Sequence, residues 1–181
     1  MSSEKSNVLC IVPARGGSQR IPSKNIRDFF GRPVITYGLH TAADSGLFSH
    51  IHVSTDSEQI AAIAEDTGFP VDFLRDSSLA DDYTGLVPVY RWVVERYRNE
   101  GVDFDAVCTL FPVCPLIGRD DFEASYSIFC RHEGKLPLYT VTPYPVPVEW
   151  AYHREDDGRL IPCDTRKFAT RSQDIATAYY E

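Results

Sequence analysis

Short and almost continuously apolar runs alternate along the chain with segments whose apolar residues recur at helical spacing. The apolar runs predict strands at residues 8–13, 50–55, 70–74, 106–111 and 137–142. The segments between them predict helices near residues 33–45, 57–67, 85–100 and 119–132. This alternation is typical of an α/β fold with a three-layer, mainly parallel sheet, in which ligands bind at the carboxyl ends of the strands.

The character of the chain changes after Thr142. The segment TPYPVPVEW carries three prolines, which suit an edge segment and not a central strand. The run REDDGRL predicts a hairpin with Asp157 and Gly158 at its tip. We therefore expect a single domain over residues 1–181, with a small β-rich flap over about residues 143–170.

Composition and charge narrow the classes of partner. A formal net charge of −8 argues against nucleic acid, because a phosphate backbone needs a basic surface. No stretch approaches the ~20 apolar residues that span a bilayer, and no leader peptide is expected. Five cysteines without a CxxC pair or a zinc-like grouping predict mostly buried thiols and a cytoplasmic protein.

The segment IVPARGGSQRIPSKN follows the first predicted strand, at the edge where ligands bind. Gly16 and Gly17 allow backbone angles closed to other residues, and successive N–H groups in such a bend form an anion nest. Side chains suited to phosphate oxygens follow closely: Arg15, Ser18, Arg20 and Lys24. The spacing matches neither the Walker A loop nor GxGxxG. The loop predicts a triphosphate cradle, and the alternative is a glycine turn with solvated cations.

The stretch IVPARGGSQRIPSKNIRDFFGRPVITYGL resembles the N-terminal signature of the acylneuraminate cytidylyltransferase, or CMP-sugar synthetase, family. The likeness continues through VSTDSEQIAAIAEDTG, FLRDSSLADDYTG and TRSQD, so that it covers nearly the whole chain. The pair DDYTG and TRSQD most resembles the branch that activates pseudaminic acid, a nonulosonic acid. The resemblance implies a Rossmann-like nucleotidyltransferase fold and transfer of CMP from CTP to an acidic nine-carbon sugar, with release of pyrophosphate.

The resemblance also implies roles for individual residues. Those expected to bind the nucleotide are Ala14, Arg15, Gly16, Gly17, Ser18, Arg20, Lys24, Asn25, Arg75, Asp82 and Thr84. Arg15 and Lys24 are expected to be catalytic, because they would neutralise the triphosphate. Asn25 and the backbone around Ala14 would meet the cytidine. For the pair Asp81 and Asp82, a capped start of the following helix is an alternative.

Three residues are expected to face the sugar. Phe111 stands where sialic-acid enzymes carry a sugar-binding glutamine, which indicates a sugar with fewer hydroxyl contacts. Arg171 suits the carboxylate that this substrate class carries. Gln173 suits sugar hydroxyl or N-acyl groups, and the alternative for its segment is a polar part of the flap.

Other positions depart from the family pattern or stay ambiguous. Gln19 replaces the usual lysine, and Asp76 replaces the proline that usually follows the family arginine. Asp56 follows the second predicted strand, where it would either help hold a metal ion or cap the next helix, and we favour the cap. The resemblance implies Mg²⁺ as the cofactor and a homodimer, but the family carboxylates that bind the ion are expected beyond Glu181.

Two alternative functions remain open at this point. One is a cytidylyltransferase for another acidic sugar, such as 3-deoxy-manno-octulosonate or N-acetylneuraminate. The other is a nucleotide-binding relative that is shortened at its C-terminal end and catalytically weak. Binding of CTP without turnover would favour the second alternative, and a change of sugar would separate the first.

Overall fold

The computed structural model describes residues 6–18, 21–166 and 168–181. The chain divides into two compact units, Met1–Lys135 and Leu136–Glu181. The predicted flap, residues 143–170, lies within the second unit. Among the helices that the structure describes, none combines the length and the apolar character needed to cross a bilayer.

The first unit alternates strands with helices. In chain order, its elements are β1 (Val8–Pro13), β2 (Asp28–Phe29), β3 (Arg32–Pro33), α1 (Ile35–Ser45), β4 (His50–Ser54), α2 (Glu58–Asp66), α3 (Leu86–Asn99), β5 (Ala106–Thr109) and α4 (Arg119–Arg131). The four predicted helices are all present, and each end falls within two residues of its prediction. The two-residue strands β2 and β3 form an antiparallel hairpin that has no counterpart among the predicted strands.

Strand β1 is the centre of a parallel sheet with the strand order β4-β1-β5. At the carboxyl end, the register pairs Pro13 of β1 with Ser54 of β4. On the other side, β1 pairs with β5 from Val8 and Ala106 onwards. All six residues of β1 are buried, which explains the unbroken apolar run, because a strand covered on both faces has no polar side.

Two apolar clusters cover the opposite faces of β1. Cys10 and Val12 pack in one cluster with side chains of α1, α2 and α4. Leu9 and Ile11 pack in the other cluster with Tyr97 of α3. Because successive side chains of a strand point to opposite faces, the clusters place a helix layer on each side of the sheet. The predicted three-layer α/β fold with a parallel sheet is therefore confirmed.

The second unit, taken by itself, contains short antiparallel pairs. Its strands are β6 (Thr142–Pro143), β7 (Tyr152–Arg154), β8 (Leu160–Pro162) and β9 (Tyr179–Tyr180). Strand β7 pairs with β8, and β6 pairs with β9. The predicted hairpin is confirmed, since the turn between β7 and β8 holds Gly158 at φ 88°, an angle that favours glycine.

Two predicted strands are corrected by the structure. Residues 70–74 form a bend, because Pro70 has no N–H for a ladder and the side chain of Asp72 hydrogen-bonds to His50 and Tyr97. Within residues 137–142 only Thr142 lies in a strand, because the pairing of β6 with β9 spans two residues of each.

The prediction of mostly buried thiols is also wrong. All five cysteines lie in the described part of the chain and are free. Cys10 is buried in the sheet, Cys108 and Cys114 are half-buried, and Cys130 and Cys163 are exposed.

A group of hydrogen-bonded side chains joins β4 to α3 at the amino-terminal end of β4. The hydroxyl of Tyr97 donates to the carboxylate of Asp72. His50 Nε2 lies 2.7 Å from both Asp72 Oδ2 and Tyr97 Oη. Burial acts to raise the pKa of Asp72, but hydrogen bonds from Tyr97 and His50 outweigh it and leave that pKa below its ordinary value.

His52 is the fully buried member of this group. Its Nδ1 lies 2.9 Å from Tyr97 Oη, and because the single hydroxyl hydrogen goes to Asp72, the imidazole is the donor. Its Nε2 has no hydrogen-bond partner among the residues that the structure describes. Burial lowers the pKa of His52 from 6.5 to about 4, against the attraction of the Asp72 carboxylate. His52 is therefore neutral in the folded chain at neutral pH.

We expect the free energy of unfolding to fall between about pH 6.5 and about pH 4, by up to about 3 kcal/mol from His52 alone. In that window the unfolded chain binds a proton at this histidine and the folded chain does not. Urea denaturation at several pH values measures the loss, and the variant His52→Gln should lose much less stability across the same window.

The exposed His132, at the end of α4, offers a matched control. His132→Gln should retain the pH dependence of the unmodified chain. An undiminished loss in His52→Gln would show that the buried imidazole does not cause the effect.

Candidate active site

A cavity of about 460 Å³ lies beyond the carboxyl ends of β1 and β4, where the sequence predicts a ligand site. The described residues that line it come from the loop after β1 and from the segment before α3. They are Arg15, Gly16, Gly17, Ser18, Pro22, Ser23, Ala80, Asp81 and Asp82. The structure therefore brings the glycine-rich loop and the DDYTG segment to one cavity, although 56 residues of sequence lie between Ser23 and Ala80.

The loop is fastened to the neighbouring strand by its first residues. The amide of the buried Ala14 donates to Ser54 O at 2.9 Å. The amide of Gly16 donates to Asp56 Oδ1, also at 2.9 Å. A Cβ on Gly16 would lie 3.0 Å from Ser57 Cβ, so that only glycine allows the loop to come this close without a shift.

The predicted backbone angles and anion nest need correction. Neither Gly16 nor Gly17 has a positive φ, and within the described part of the loop the left-handed residue is Ser23, at φ 51°. The amides of Gly16 and Ser18 are used within the protein, the latter by Gly16 O at 3.0 Å. The Gly17 amide makes no hydrogen bond to the described part of the chain. The Gly16 amide, which an anion nest would offer to a ligand, already donates to Asp56. A ligand would therefore contact mainly side chains.

Asp56 supports the loop and does not cap the next helix. The N-cap of α2 is Ser57, whose Oγ accepts from the Ile60 amide at 3.4 Å. The Asp56 carboxylate accepts the amide of Gly16 instead. The favoured prediction of a cap at Asp56 is therefore wrong, because adjacent parallel strands bring this carboxylate against the loop that follows β1.

The DDYTG segment forms a turn and not a helix cap. The N-cap of α3 is Gly85, without a side-chain hydrogen bond. Asp81 Oδ1 accepts from the amides of Thr84 and Tyr83 at 2.6 and 2.7 Å, and Asp81 Oδ2 accepts from Thr84 Oγ1 at 2.9 Å. Hydrogen bonds from Thr84 and Tyr83 lower the pKa of Asp81 below its ordinary value. The alternative of a capped helix at Asp81 and Asp82 is therefore wrong.

Arg15 spans the cavity to this turn. Its Nη2 lies 2.7 Å from Asp82 Oδ1, and its Nη1 donates to Asp81 O at 2.7 Å. About a third of the Arg15 side chain stays exposed, as does 40% of the Asp82 side chain. The guanidinium is thus held in place while it remains accessible from the cavity.

Asn25 carries a buried acceptor beside the loop. The residue is 5% exposed, and its Nδ2 donates to Arg15 O at 3.0 Å, which fixes the orientation of the amide. Its Oδ1 has no partner within the described residues. An unpaired buried acceptor destabilises a protein unless another donor reaches it, so this oxygen suits an N–H or O–H group of a ligand.

Arg75 fixes the carboxyl end of β4 and does not line the cavity. The residue is 6% exposed, and its Nη2 and Nε donate to Ser54 O and Ser54 Oγ at 2.6 and 3.1 Å. Its amide donates to Thr55 O at 2.7 Å. Burial lowers the pKa of Arg75, against the attraction of the Asp56 carboxylate.

The other described residues that were predicted in the first unit lie outside the lining of the cavity. Lys24 is exposed in a short 3₁₀ helix, and Thr84 closes the turn through Asp81. Phe111 follows β5 at the same edge of the sheet and is 48% exposed. The positions of Arg20 and Gln19 fall outside the described residues.

The two predicted sugar-binding residues near the C-terminal end belong to the second unit. Arg171 Nε lies 2.8 Å from Asp174 Oδ2, and both side chains are largely exposed. Gln173 is exposed within a 3₁₀ helix, Ser172–Asp174. Their roles stay predictions.

No group of three or more His, Cys, Asp or Glu side chains is arranged to hold a metal ion in the part of the chain that the structure describes. The carboxylates nearest the loop have other partners: the Gly16 amide for Asp56, the turn for Asp81 and Arg15 for Asp82. The described residues do not form a magnesium site, and Mg²⁺ stays a prediction.

Comparison with known proteins relates the chain to one family. A family model described as cytidylyltransferase matches residues 9–102. Pseudaminic acid cytidylyltransferase from Campylobacter jejuni is 35% identical over 173 residues, which cover 96% of this chain and 74% of that protein. This chain belongs to the cytidylyltransferase family. The family predicted from the sequence is therefore confirmed.

Other relatives of this cytidylyltransferase are named for related sugars. CMP-N,N'-diacetyllegionaminic acid synthase from Legionella pneumophila is 31% identical over 154 residues, covering 85% of this chain and 66% of that protein. A solved structure of CMP:2-keto-3-deoxy-manno-octonic acid synthetase complexed with CTP aligns with a TM-score of 0.69. That alignment covers 96% of this chain and 70% of the other at 18% identity, so it bears on the fold alone.

Sequence reasoning missed three contributions to the site. Ser23 lines the cavity in a left-handed conformation, which its residue type does not signal. The Asp81 carbonyl binds Arg15 through the backbone, which leaves no trace in the sequence. Asp56 did carry a signal, because an acid directly after the strand next to β1 must lie near the loop that follows β1.

The close approach at Gly16 gives a stability prediction with an internal control. Gly16→Ala should lower the free energy of unfolding by about 1–2 kcal/mol, because the added Cβ forces the loop away from Ser57. Gly17→Ala should change it by less than about 1 kcal/mol, since nothing lies within 4 Å of the added atom. Urea denaturation measures both, and equal losses would contradict a specific contact at Gly16.

Proposed function

We propose that this cytidylyltransferase transfers CMP from CTP to a nonulosonic acid and releases pyrophosphate, with pseudaminic acid as its sugar. The observation that carries the proposal is the cavity beyond β1 and β4, into which the glycine-rich loop presents Arg15. The likeness to pseudaminic acid cytidylyltransferase over 96% of the chain supports the choice of nucleotide and of sugar. The relative named for legionaminic acid supports the broader class of nine-carbon acids.

The proposed chemistry is a substitution at the α-phosphorus of CTP. The oxygen of the anomeric hydroxyl forms the new bond to phosphorus, the bond to the β-phosphate oxygen breaks, and the hydroxyl proton leaves to water. Such a reaction depends mainly on positioning and on stabilisation of developing negative charge. Arg15 suits that role, because its two terminal nitrogens are fixed at the cavity.

The roles of the remaining residues are part of the proposal. Lys24 and Arg20 add positive charge to the same loop, and Lys24 acts with Arg15 on the triphosphate. The unpaired Oδ1 of Asn25 accepts a hydrogen bond from the cytidine. Phe111 borders the sugar at the end of β5, and its exposed ring offers apolar contact where, by the family resemblance, sialic-acid enzymes carry glutamine.

Arg171 and Gln173 are proposed to meet the sugar carboxylate and its hydroxyl or N-acyl groups. Magnesium is proposed to arrive with the triphosphate, because Mg²⁺ commonly keeps several waters and takes phosphate oxygens as ligands. A homodimer, a cytoplasmic location and the absence of a nucleic-acid partner also stay predictions.

The function is tested by mixing the purified chain with CTP, Mg²⁺ and a panel of acidic sugars while pyrophosphate is measured. The panel comprises pseudaminic, legionaminic and N-acetylneuraminic acids and 3-deoxy-manno-octulosonate. We expect the highest kcat/KM with pseudaminic acid, because Phe111 replaces a polar sugar contact. Turnover with 3-deoxy-manno-octulosonate alone would change the assigned sugar, and CTP binding without any turnover would favour a binding protein.

The phosphate role of the loop predicts a selective loss of affinity. Arg15→Ala should weaken CTP binding about 10- to 100-fold, because a charge-assisted hydrogen bond is removed, and should leave cytidine binding nearly unchanged. Lys24→Ala should act in the same direction. Calorimetry with CTP and with cytidine measures both, and Arg27→Ala, just beyond the loop, is a charge-matched control. Equal losses for the two ligands would contradict the proposed role.

A further inference from the structure

Asp82 contacts the cation that the proposed reaction needs. Its Oδ1 lies 2.7 Å from Arg15 Nη2, and both residues line the cavity. By the family resemblance, Asp82 would line the cytosine pocket. The geometry instead pairs it with the residue proposed to bind the triphosphate.

The turn that carries Asp82 is built to hold this carboxylate in place. The neighbouring carboxylate, Asp81, is engaged by Tyr83 and Thr84, so it rigidifies the turn and does not reach Arg15. The Asp81 carbonyl binds Arg15 Nη1 at 2.7 Å and sets the guanidinium beside Asp82. Two adjacent acids thus have different tasks, one internal to the turn and one directed at the cation.

The charges that line the cavity show why the ion pair between Arg15 and Asp82 matters for polyphosphate binding. Within the described residues that line it, Arg15 is the cation, and Asp81 and Asp82 are the anions. A polyphosphate that enters must bring its own negative charge close to the Asp82 carboxylate. It would also approach the guanidinium with which Asp82 forms its ion pair, so the two anions compete for one cation.

We propose that Asp82 is an internal competitor of the phosphate chain for Arg15, and that this competition limits polyphosphate affinity and promotes pyrophosphate release. The inference rests on the proposed function. The carboxylate keeps the guanidinium oriented, gives it up to the triphosphate, and takes it back as pyrophosphate leaves. Both side chains are partly exposed, so the exchange requires a change of side-chain partner and no opening of the core.

The exchange is energetically feasible because a solvent-exposed ion pair is weak. Such pairs contribute little to stability, and the attraction of a polyphosphate with several charges exceeds that contribution. Removal of the Asp82 charge should therefore tighten phosphate binding, through loss of both the competing bond and the repulsion. The combined effect corresponds to about tenfold in affinity.

The test measures the binding of inorganic pyrophosphate, CTP and cytidine to the full chain by calorimetry, without divalent metal and with EDTA present. Asp82→Asn should bind pyrophosphate and CTP about tenfold more tightly than the unmodified chain does. Cytidine should bind equally to both, since it carries no phosphate. In turnover assays, pyrophosphate should inhibit Asp82→Asn at a correspondingly lower concentration.

Two controls isolate the contact with Arg15. Asp66→Asn, at the far end of α2, removes the same charge away from the cavity and should leave pyrophosphate affinity within about twofold. In an Arg15→Ala background, Asp82→Asn should lose most of its effect, because the guanidinium for which the two anions compete has been removed. A full tenfold gain in that background would overturn the competition and indicate simple charge removal.

The remaining outcomes also decide the matter. Equal or weaker pyrophosphate binding by Asp82→Asn, with an unchanged melting temperature, would show that Asp82 supports Arg15 and does not compete. Weaker cytidine binding would place Asp82 in the base pocket and overturn the inference. Binding of pyrophosphate but not CTP by the unmodified chain would overturn the proposed function, yet the variant could still establish the exchange. Binding of neither would overturn both.

Discussion

The parallel pairing of one fully buried strand with its two neighbours is the constraint on which the rest of the structure depends. Strand β1 has no exposed residue, so its only stable position lies between β4 and β5, with helices on both faces. Parallel pairing then brings the carboxyl ends of the strands to one edge. The glycine-rich loop leaves β1 at that edge, and its location follows from the core and not from any property of the loop itself.

Much of the fold could be predicted from the sequence because local pattern and tertiary environment agree. The unbroken apolar run of β1 and the helical spacing of the four helices each match a single packing arrangement. Local pattern and tertiary environment disagree where specific side-chain contacts determine the backbone conformation. Residues 70–74 have the composition of a strand, but Asp72 binds Tyr97 and His50, and Pro70 cannot join a ladder.

The candidate site is likewise predictable from the sequence only in part. Residues next to each other in the sequence, such as Arg15 and Gly16, could be assigned to the cavity because they follow a strand end. The ion pair between Arg15 and Asp82 could not be predicted. The two residues are 67 positions apart, and neither sequence motif indicates a contact with the other. The reason for glycine at position 16 is hidden from the sequence in a similar way: its backbone angle is ordinary, and the constraint is the close contact with Ser57, the N-cap of α2.

The buried guanidinium of Arg75 has a consequence for its neighbour Asp56. That carboxylate accepts the Gly16 amide, and its charge also offsets the positive charge that Arg75 carries into the interior. The Asp56 carboxylate thus has two separate roles: it fixes the position of the loop, and it compensates a buried positive charge. Asn at position 56 would keep an acceptor for the Gly16 amide but would not compensate the charge of Arg75. Glu would keep the negative charge, but its longer side chain would displace the acceptor. Of these three side chains, aspartate alone satisfies both requirements at position 56.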